Sequence, residues 1–184
     1  MSTKKTNRLT LYAVFCVTAV PLAIAMVMYF NLWGVPDGRT NFGQLLLPPN
    51  QLKQTQLVNE KAVPWSQEDA DKRWLVIYLT PQECDKACKE ATYLLRQINV
   101  ALGKEAHRVT RFLVNQKGAY NEQLKKDYPA LIQLTSQATE FFAMGEGIYL
   151  VDPLGNIMMY YAKDFVGKQL LKDLKKLLKN SNIG

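Results

Sequence analysis

A long apolar segment lies near the start of the chain. Leu9 to Leu32 contains no charged residue over 24 positions. As a helix, this segment would be about 36 Å long, which is enough to cross a hydrocarbon core of roughly 30 Å. The pattern therefore predicts a transmembrane helix over residues 9–33. The run is longer than the apolar core of a cleaved signal peptide and has no small-residue cleavage site at its end, which favours an uncleaved anchor.

The charges beside this segment predict its orientation. Residues 1–8 contain three basic side chains, and the first acidic residue of the chain is Asp37. Because positive charge favours the cytoplasmic side, we expect residues 1–8 to form a cytoplasmic tail. The chain after Trp33 is then expected outside the cytoplasm. Cys16 lies inside the span and is expected to face lipid or to pack.

A stretch rich in proline and amide side chains follows the apolar segment. Residues 34–73 hold four of the eight prolines. We interpret residues 34–64 as a tether with edge structure, ahead of a domain that covers residues 65–184. The three leucines at 45–47 are expected to dock on that domain, because such a run is poorly solvated alone.

The spacing of apolar residues predicts the first elements of the domain. A continuous apolar run at 74–79 is typical of a central strand that is covered on both faces. Apolar residues three and four positions apart predict a helix over 85–102, ended by Gly103. A second strand follows at 109–114. These three elements predict a β-α-β unit with parallel strands.

The remaining pattern predicts further helices and a hairpin. We expect a short helix over 120–126 and another helical turn over 129–135. Two strand-like runs flank the turn residues 152–155 and predict a β-hairpin over 147–162. An amphipathic helix over 165–180 closes the chain. The leucines expected on its buried face are Leu170, Leu171, Leu174, Leu177 and Leu178. The order of all these elements predicts an α/β, thioredoxin-like fold.

Two of the three cysteines lie at the turn from the first strand into the first helix of the domain. Cys84 and Cys88 form a C-x3-C pair, and this spacing places both sulfurs on one helical face with Cα atoms about 6 Å apart. The start of a helix stabilises a thiolate. Glu83 and Asp85 flank Cys84 as capping candidates, although their charges oppose the thiolate. The pair fits redox chemistry, metal binding or packing in the core, and an exported location favours a disulfide.

The stretches WLVIYLTPQECDKAC and IYLVDPLGN resemble the SCO/SenC proteins. The resemblance covers residues 65–184, and it is still closer to anchored proteins encoded among cytochrome oxidase assembly genes in proteobacteria. It implies a thioredoxin fold, a membrane anchor and an export-side role as a copper chaperone in the assembly of haem–copper cytochrome oxidases. The partners that it implies are cytochrome oxidase subunits or other assembly factors.

The resemblance also implies a copper site in which Cys84 and Cys88 act with a histidine in the loop before the hairpin. This chain lacks that histidine. Its one histidine, His107, precedes the second strand and is expected at the opposite edge of the sheet. The family's histidine position falls at or near Met144, whose thioether suits Cu(I) but which also fits simple packing. In the family, a proline follows each of the two cysteines. In this chain, Asp85 and Lys89 stand at those positions.

Composition narrows the expected function. The net charge is +7, but three of the basic residues lie in the first eight positions, and the lysine-rich C-terminal helix has no interleaved aromatic residues to stack on bases. We therefore expect no nucleic-acid partner. The favoured function is assistance in cytochrome oxidase assembly through thiol–disulfide or Cu(I) chemistry at Cys84 and Cys88. The alternatives are a non-catalytic assembly or interaction domain and a general periplasmic thiol oxidoreductase.

Overall fold

The computed structural model describes residues 3–31, 40–81, 83–116, 120–181 and 183. Residues 1–40 and 41–184 form two units. In the first unit, α1 spans Thr3–Phe30. Its segment Arg8–Phe30 is long and apolar enough to cross a membrane, with 23 residues and a mean hydropathy of 2.3. The predicted N-terminal apolar helix is confirmed. The end of the predicted span and the start of the predicted tether lie outside the described residues.

A seven-stranded mixed sheet organises the second unit. Its strands are β1 (Gln44–Gln51), β2 (Leu57–Val58), β3 (Trp74–Thr80), β4 (Val109–Asn115), β5 (Leu131–Ser136), β6 (Gly147–Val151) and β7 (Asn156–Ala162). Their spatial order is β1-β7-β6-β3-β4-β5-β2. Strand β4 is parallel to both β3 and β5, and the other neighbouring pairs are antiparallel. The α-helices described in this unit are α2 (Lys86–Ala101), α3 (Glu122–Asp127) and α4 (Gly167–Asn180), and short 3-10 helices connect some of the strands.

Strand β3 lies at the centre of the sheet, and all of its residues are buried. Side chains alternate between the two faces of a strand. Val76 and Tyr78 join the core cluster that contains α2 and α4, whereas Leu75 and Ile77 join the cluster on the other face. The predicted thioredoxin-like fold is confirmed, with its central strand, parallel β-α-β unit, short helix, hairpin and C-terminal helix.

The helical turn predicted over 129–135 is wrong. Residues Leu131–Ser136 instead form β5, which pairs with β4 in parallel register from Arg111 opposite Leu131 to Asn115 opposite Thr135. Pairing with β5 satisfies the backbone groups on one edge of β4, so the neighbouring strand decides the conformation of this short segment. Strand β2 then covers the outer edge of β5.

The three leucines at 45–47 lie in edge strand β1, which pairs with β7. Leu45 and Leu46 pack against opposite core clusters, as expected of alternate residues in a strand. The prediction is wrong for Leu47, which is 73% exposed. The pairing register shifts between Leu45 and Asn50, so Leu47 and the two prolines that follow it lie in an irregular part of the ladder.

Helix α4 packs its apolar face on the sheet. Of its five predicted core leucines, Leu170, Leu174 and Leu178 are buried, and the other two are partly buried against the same cluster. The helix also buries Asp173, a residue that the apolar pattern did not place in the core. This carboxylate accepts hydrogen bonds from Tyr161 and from two backbone N–H groups that precede β1.

Candidate functional site

The two domain cysteines lie where β3 leads into α2. Cys84 and Cys88 form a disulfide, with their Cα atoms 5.1 Å apart. Cys88 is the third residue of the helix, whereas Cys84 lies one residue ahead of the N-cap, Asp85. The C-x3-C spacing predicted both sulfurs on one helical face, whereas only Cys88 belongs to the helix. The difference arises because Asp85 has an extended backbone and caps the helix instead of joining it.

The two sulfurs differ in their access to solvent. Cys88 is completely buried among the residues that pack α2 on the sheet, and Cys84 is only partly buried at the rim of the same cluster. A reactant can therefore approach Cys84 directly, and Cys88 only after the site opens. This difference fits one attacking cysteine and one resolving cysteine.

Asp85 organises the backbone between the cysteines. Its side-chain oxygen accepts a hydrogen bond of 2.9 Å from the backbone N–H of Cys88. This bond satisfies one of the donors that the first turn of a helix leaves unpaired. The capping role predicted for Asp85 is observed. Its carboxylate also adds a negative charge beside Cys84, which opposes the stabilisation that the helix dipole gives to a thiolate.

Tyr78 and Glu146 form a polar pair near this end of the sheet. The Tyr78 hydroxyl donates a 3.2 Å hydrogen bond to Glu146. Burial raises the pKa of Tyr78, and the carboxylates of Glu146 and Asp85 raise it further. Lys163 lies 3.9 Å from Glu146 in a pair whose lysine is exposed and whose glutamate is partly buried, and such a pair contributes little to stability.

The Tyr78–Glu146 pair was not foreseen from the sequence. Gly147 lies opposite Leu79 in the pairing of β6 with β3, so Glu146 falls next to the end of β3 from which the cysteine loop starts. The sequence does contain a signal for this pair, namely an acidic residue directly before one buried strand and a tyrosine within another. Recognising the pair from that signal requires the register between β3 and β6, and the hairpin pattern alone does not give this register.

Met144 lies in the loop before β6. Its backbone N–H donates a 3.2 Å hydrogen bond to the hydroxyl of Tyr149, which in turn donates to the carbonyl of Gly145. Phe142 is buried and packs edge-to-face on Tyr149, whereas the Met144 side chain is 41% exposed. The packing role of this loop therefore belongs to Phe142, and the thioether of Met144 is accessible.

His107 lies at the other end of the sheet. Val109, two residues later, pairs with Trp74, so His107 is next to the start of β3, and the cysteines follow its end. The exposed ring places Nδ1 2.7 Å from the carbonyl oxygen of Lys104. Among the described residues, no three His, Cys, Asp or Glu side chains gather as a metal site. The donor set at the cysteines is two sulfurs, which fits Cu(I) after reduction and does not fit Cu(II).

The fold and the cysteine pair together define a thioredoxin-like domain with a disulfide at the start of its first helix. The chain belongs to the transmembrane-like, thioredoxin-like, C-terminal domain family, whose model matches residues 74–181. No curated protein sequence matches the chain.

Solved structures share this fold. The solution structure of apo Sco1 from Thermus thermophilus is 16% identical in sequence and superimposes with a TM-score of 0.61. The match covers 77% of the present chain and 99% of the Sco1 chain, and the coverages below are given in the same order. Yeast Sco1 with copper bound is 16% identical, with a TM-score of 0.55 and coverage of 78% and 96%. BsSco, a Sco-family cytochrome c oxidase assembly protein with a disulfide switch, is 15% identical, with a TM-score of 0.54 and coverage of 73% and 96%. The predicted resemblance to SCO/SenC proteins is confirmed at the level of the fold.

Proposed function

We propose that this chain is a membrane-anchored protein that assists cytochrome c oxidase assembly through thiol–disulfide exchange at Cys84 and Cys88. The observation that carries the proposal is the disulfide between a partly exposed and a fully buried cysteine at the start of α2. The Sco fold and the disulfide switch of BsSco support it. The apolar helix over Arg8–Phe30 and the basic residues ahead of it support an anchor in the bacterial inner membrane, with the domain in the periplasm.

The exchange step follows from the difference between the two sulfurs. In the reduced protein, the thiolate of Cys84 attacks a disulfide of the substrate protein, forms a mixed disulfide and releases one substrate thiolate. Cys88 then gives up its proton and attacks the sulfur of Cys84, which releases the second substrate thiolate and restores the Cys84–Cys88 disulfide. The substrate gains two electrons, and a thiol reductant returns the pair to its reduced state.

Cu(I) binding by the reduced pair is the second candidate function. Two thiolates whose Cα atoms lie 5.1 Å apart can hold Cu(I) in linear coordination, and the exposed thioether of Met144 is a soft donor for a third position. The copper bound to yeast Sco1 supports this candidate. The lack of a histidine in the loop before β6 argues against Cu(II), which prefers nitrogen and oxygen donors.

The experiment uses the full-length protein in a nonionic detergent, with Cys16→Ser in every variant so that only the domain thiols react. Reduced Cys88→Ser and Cys84→Ser proteins are mixed with glutathione disulfide, and mixed disulfides are counted by mass spectrometry. We expect Cys88→Ser to react through the accessible Cys84 at least about tenfold faster than Cys84→Ser, because thiol exchange depends on access as well as on thiolate fraction. Equal rates would contradict the assignment of Cys84 as the attacking residue.

The same proteins separate the two candidates. If the reduced pair takes Cu(I) from a chelator of moderate affinity, and either serine variant loses this ability, the copper function is supported. Met144→Leu nearly conserves volume, so a loss of Cu(I) affinity in this variant reports on the thioether. If the pair neither exchanges nor binds Cu(I), the better interpretation is a non-catalytic assembly domain.

A further inference from the structure

The exposed face of α4 carries positive charge alone. Because a helix turns by about 100° per residue, the lysines of α4 all fall within an arc of roughly 100° around its axis. The acidic residue of the same helix, Asp173, lies outside this arc and is buried. We call the exposed lysines the α4 lysine stripe, and its members are Lys168, Lys172, Lys175, Lys176 and Lys179.

Acidic side chains do not neutralise most of this stripe. Among the residues that the structure describes, no ion pair includes Lys168, Lys172, Lys175 or Lys179. Lysines three and four positions apart on a helix repel each other, and this repulsion destabilises the helix. A helix face that is only solvated gains support from charges of alternating sign. The arrangement in α4 therefore favours a partner that carries negative charge.

The chain enters the domain beside this stripe. The backbone N–H groups of Phe42 and Gly43 donate hydrogen bonds of 2.7 and 3.1 Å to the carboxylate of Asp173 on α4. The ammonium group of Lys172 lies 5.1 Å from the centre of the Phe42 ring. Phe42 is 48% exposed, and an exposed aromatic ring beside lysines suits the interface between membrane and water.

The length of the connecting chain limits how far the stripe can lie from a membrane that α1 crosses. Helix α1 ends at Phe30. Even when fully extended, the chain from Phe30 to Phe42 reaches only about 40 Å. Contact between the stripe and the bilayer surface is therefore an intramolecular step, which linkage makes much more favourable than an encounter between separate molecules.

We propose that the α4 lysine stripe binds the anionic phospholipid headgroups of the membrane in which the chain is anchored. Clustered lysines close to a bilayer are attracted to anionic lipids over a Debye length, which is about 8 Å at physiological ionic strength. The leucines of α4 pack in the core of the domain, so the ammonium groups make the contact and the helix does not insert.

This contact would fix which face of the domain turns towards the bilayer. The inference rests on the proposed membrane anchor, and it is independent of the proposed exchange reaction because the stripe shares no residue with the cysteine pair.

The test measures how fast individual lysines are acetylated in the full-length protein, reconstituted in lipid nanodiscs that leave both membrane faces open. A water-soluble acetylating ester is added, and the modified peptides are quantified by mass spectrometry. One set of discs contains phosphatidylcholine alone, and in the other set a third of the lipid is phosphatidylglycerol. We expect the stripe lysines to react at least about threefold more slowly in the discs with phosphatidylglycerol. The exposed reference lysines Lys53 and Lys61, which flank β2, and Lys126 in α3 should change little.

Two triple variants with the same net charge separate the stripe from a general attraction of basic protein to anionic lipid. The stripe variant is Lys172→Gln/Lys175→Gln/Lys179→Gln, and the control variant is Lys53→Gln/Lys61→Gln/Lys126→Gln. The slower acetylation of Lys168 in the discs with phosphatidylglycerol should disappear in the stripe variant and remain in the control variant. In the wild type, sodium chloride at about 1 M should abolish the difference between the discs, because the Debye length falls to about 3 Å.

The possible outcomes distinguish the stripe from the anchor. A protein that enters both kinds of disc but whose stripe lysines react equally in them would overturn the lipid assignment and leave an acidic protein as the expected partner. An equal loss of protection in the two triple variants would overturn the stripe as the site, because net charge alone would then explain the effect. A protein that does not enter the discs would overturn the proposed anchor and this inference with it.

Discussion

At the scale of single residues, Asp85 controls the surroundings of the disulfide in two opposite ways. It holds the first turn of α2 by accepting a hydrogen bond from the N–H of Cys88, and this fixes the position of the buried sulfur. Its negative charge next to Cys84 also opposes a thiolate on that residue after reduction, which is the form that the proposed exchange needs. The cap and the charge can be separated by substitution, because asparagine caps as well as aspartate does.

We predict that Asp85→Asn preserves stability and speeds the chemistry. In the reduced protein with Cys16→Ser, removal of the negative charge on the residue next to Cys84 should raise the rate at which Cys84 is alkylated at pH 7 by roughly threefold. Asp85→Ala should show the same faster alkylation but should lose about 1 kcal/mol of unfolding free energy, because the helix loses its cap. Iodoacetamide kinetics and urea unfolding measure the two effects. An Asp85→Asn protein that reacts no faster than the wild type would contradict the electrostatic role.

At the scale of secondary-structure elements, the buried carboxylate of Asp173 connects α4 with the start of edge strand β1. It accepts hydrogen bonds from the backbone N–H groups of Phe42 and Gly43 and from the hydroxyl of Tyr161 in β7. Burial raises the pKa of Tyr161, and Asp173 raises it further, so the hydroxyl remains a donor at neutral pH. One side chain therefore holds three elements of the domain together.

We predict that Asp173→Ala costs about 3 kcal/mol or more of unfolding free energy, because it removes the acceptor of three hydrogen bonds, two of which are buried. Tyr161→Phe, which removes a single hydrogen bond, should cost about 1 kcal/mol. Urea unfolding gives both values. The backbone N–H groups of Phe42 and Gly43 should exchange faster in Asp173→Ala, while the amides of β3 exchange at a rate set by global stability. Equal costs for the two variants would contradict the three-way connection.

The elements that could be predicted from the sequence have strong periodic patterns. The unbroken apolar run of β3, the three-and-four spacing of α2 and the turn at Asp152 each specify one structure locally. β5 could not be recognised in the same way, because its strand character depends on pairing with β4 and not on its own short sequence. Likewise, Asp173 and Glu146 are polar residues whose partners come from distant segments, so their roles depend on tertiary contacts.

In the candidate site, too, the local sequence pattern predicted some features and the three-dimensional structure was needed for others. The C-x3-C spacing and the expected start of a helix were enough to predict a pair that can close a disulfide. The difference in burial between Cys84 and Cys88 depends on where the helix begins, and Asp85 determines that by taking the N-cap position. A pattern of residue types does not specify a helix start to within one residue.

At the scale of the whole molecule, the chain combines an apolar helix long enough to cross a membrane with a domain that carries one disulfide. The orientation proposed from the basic residues ahead of that helix puts the disulfide in an oxidising compartment, where such a bond persists. The two properties are linked, because the same bond exposed to the cytoplasm would be reduced.

The most direct test labels the cysteines of the full-length Cys16→Ser protein in intact spheroplasts. A membrane-impermeant phosphine is added or withheld, a heavy membrane-impermeant maleimide follows, and the mass shift is read on a gel. We expect no label without the reductant and labelling of the accessible Cys84 with it, and no label in either case when both Cys84 and Cys88 are serine. Labelling without the reductant would contradict a disulfide in cells. Labelling that appears only after lysis would contradict the export-side location on which the proposed exchange depends.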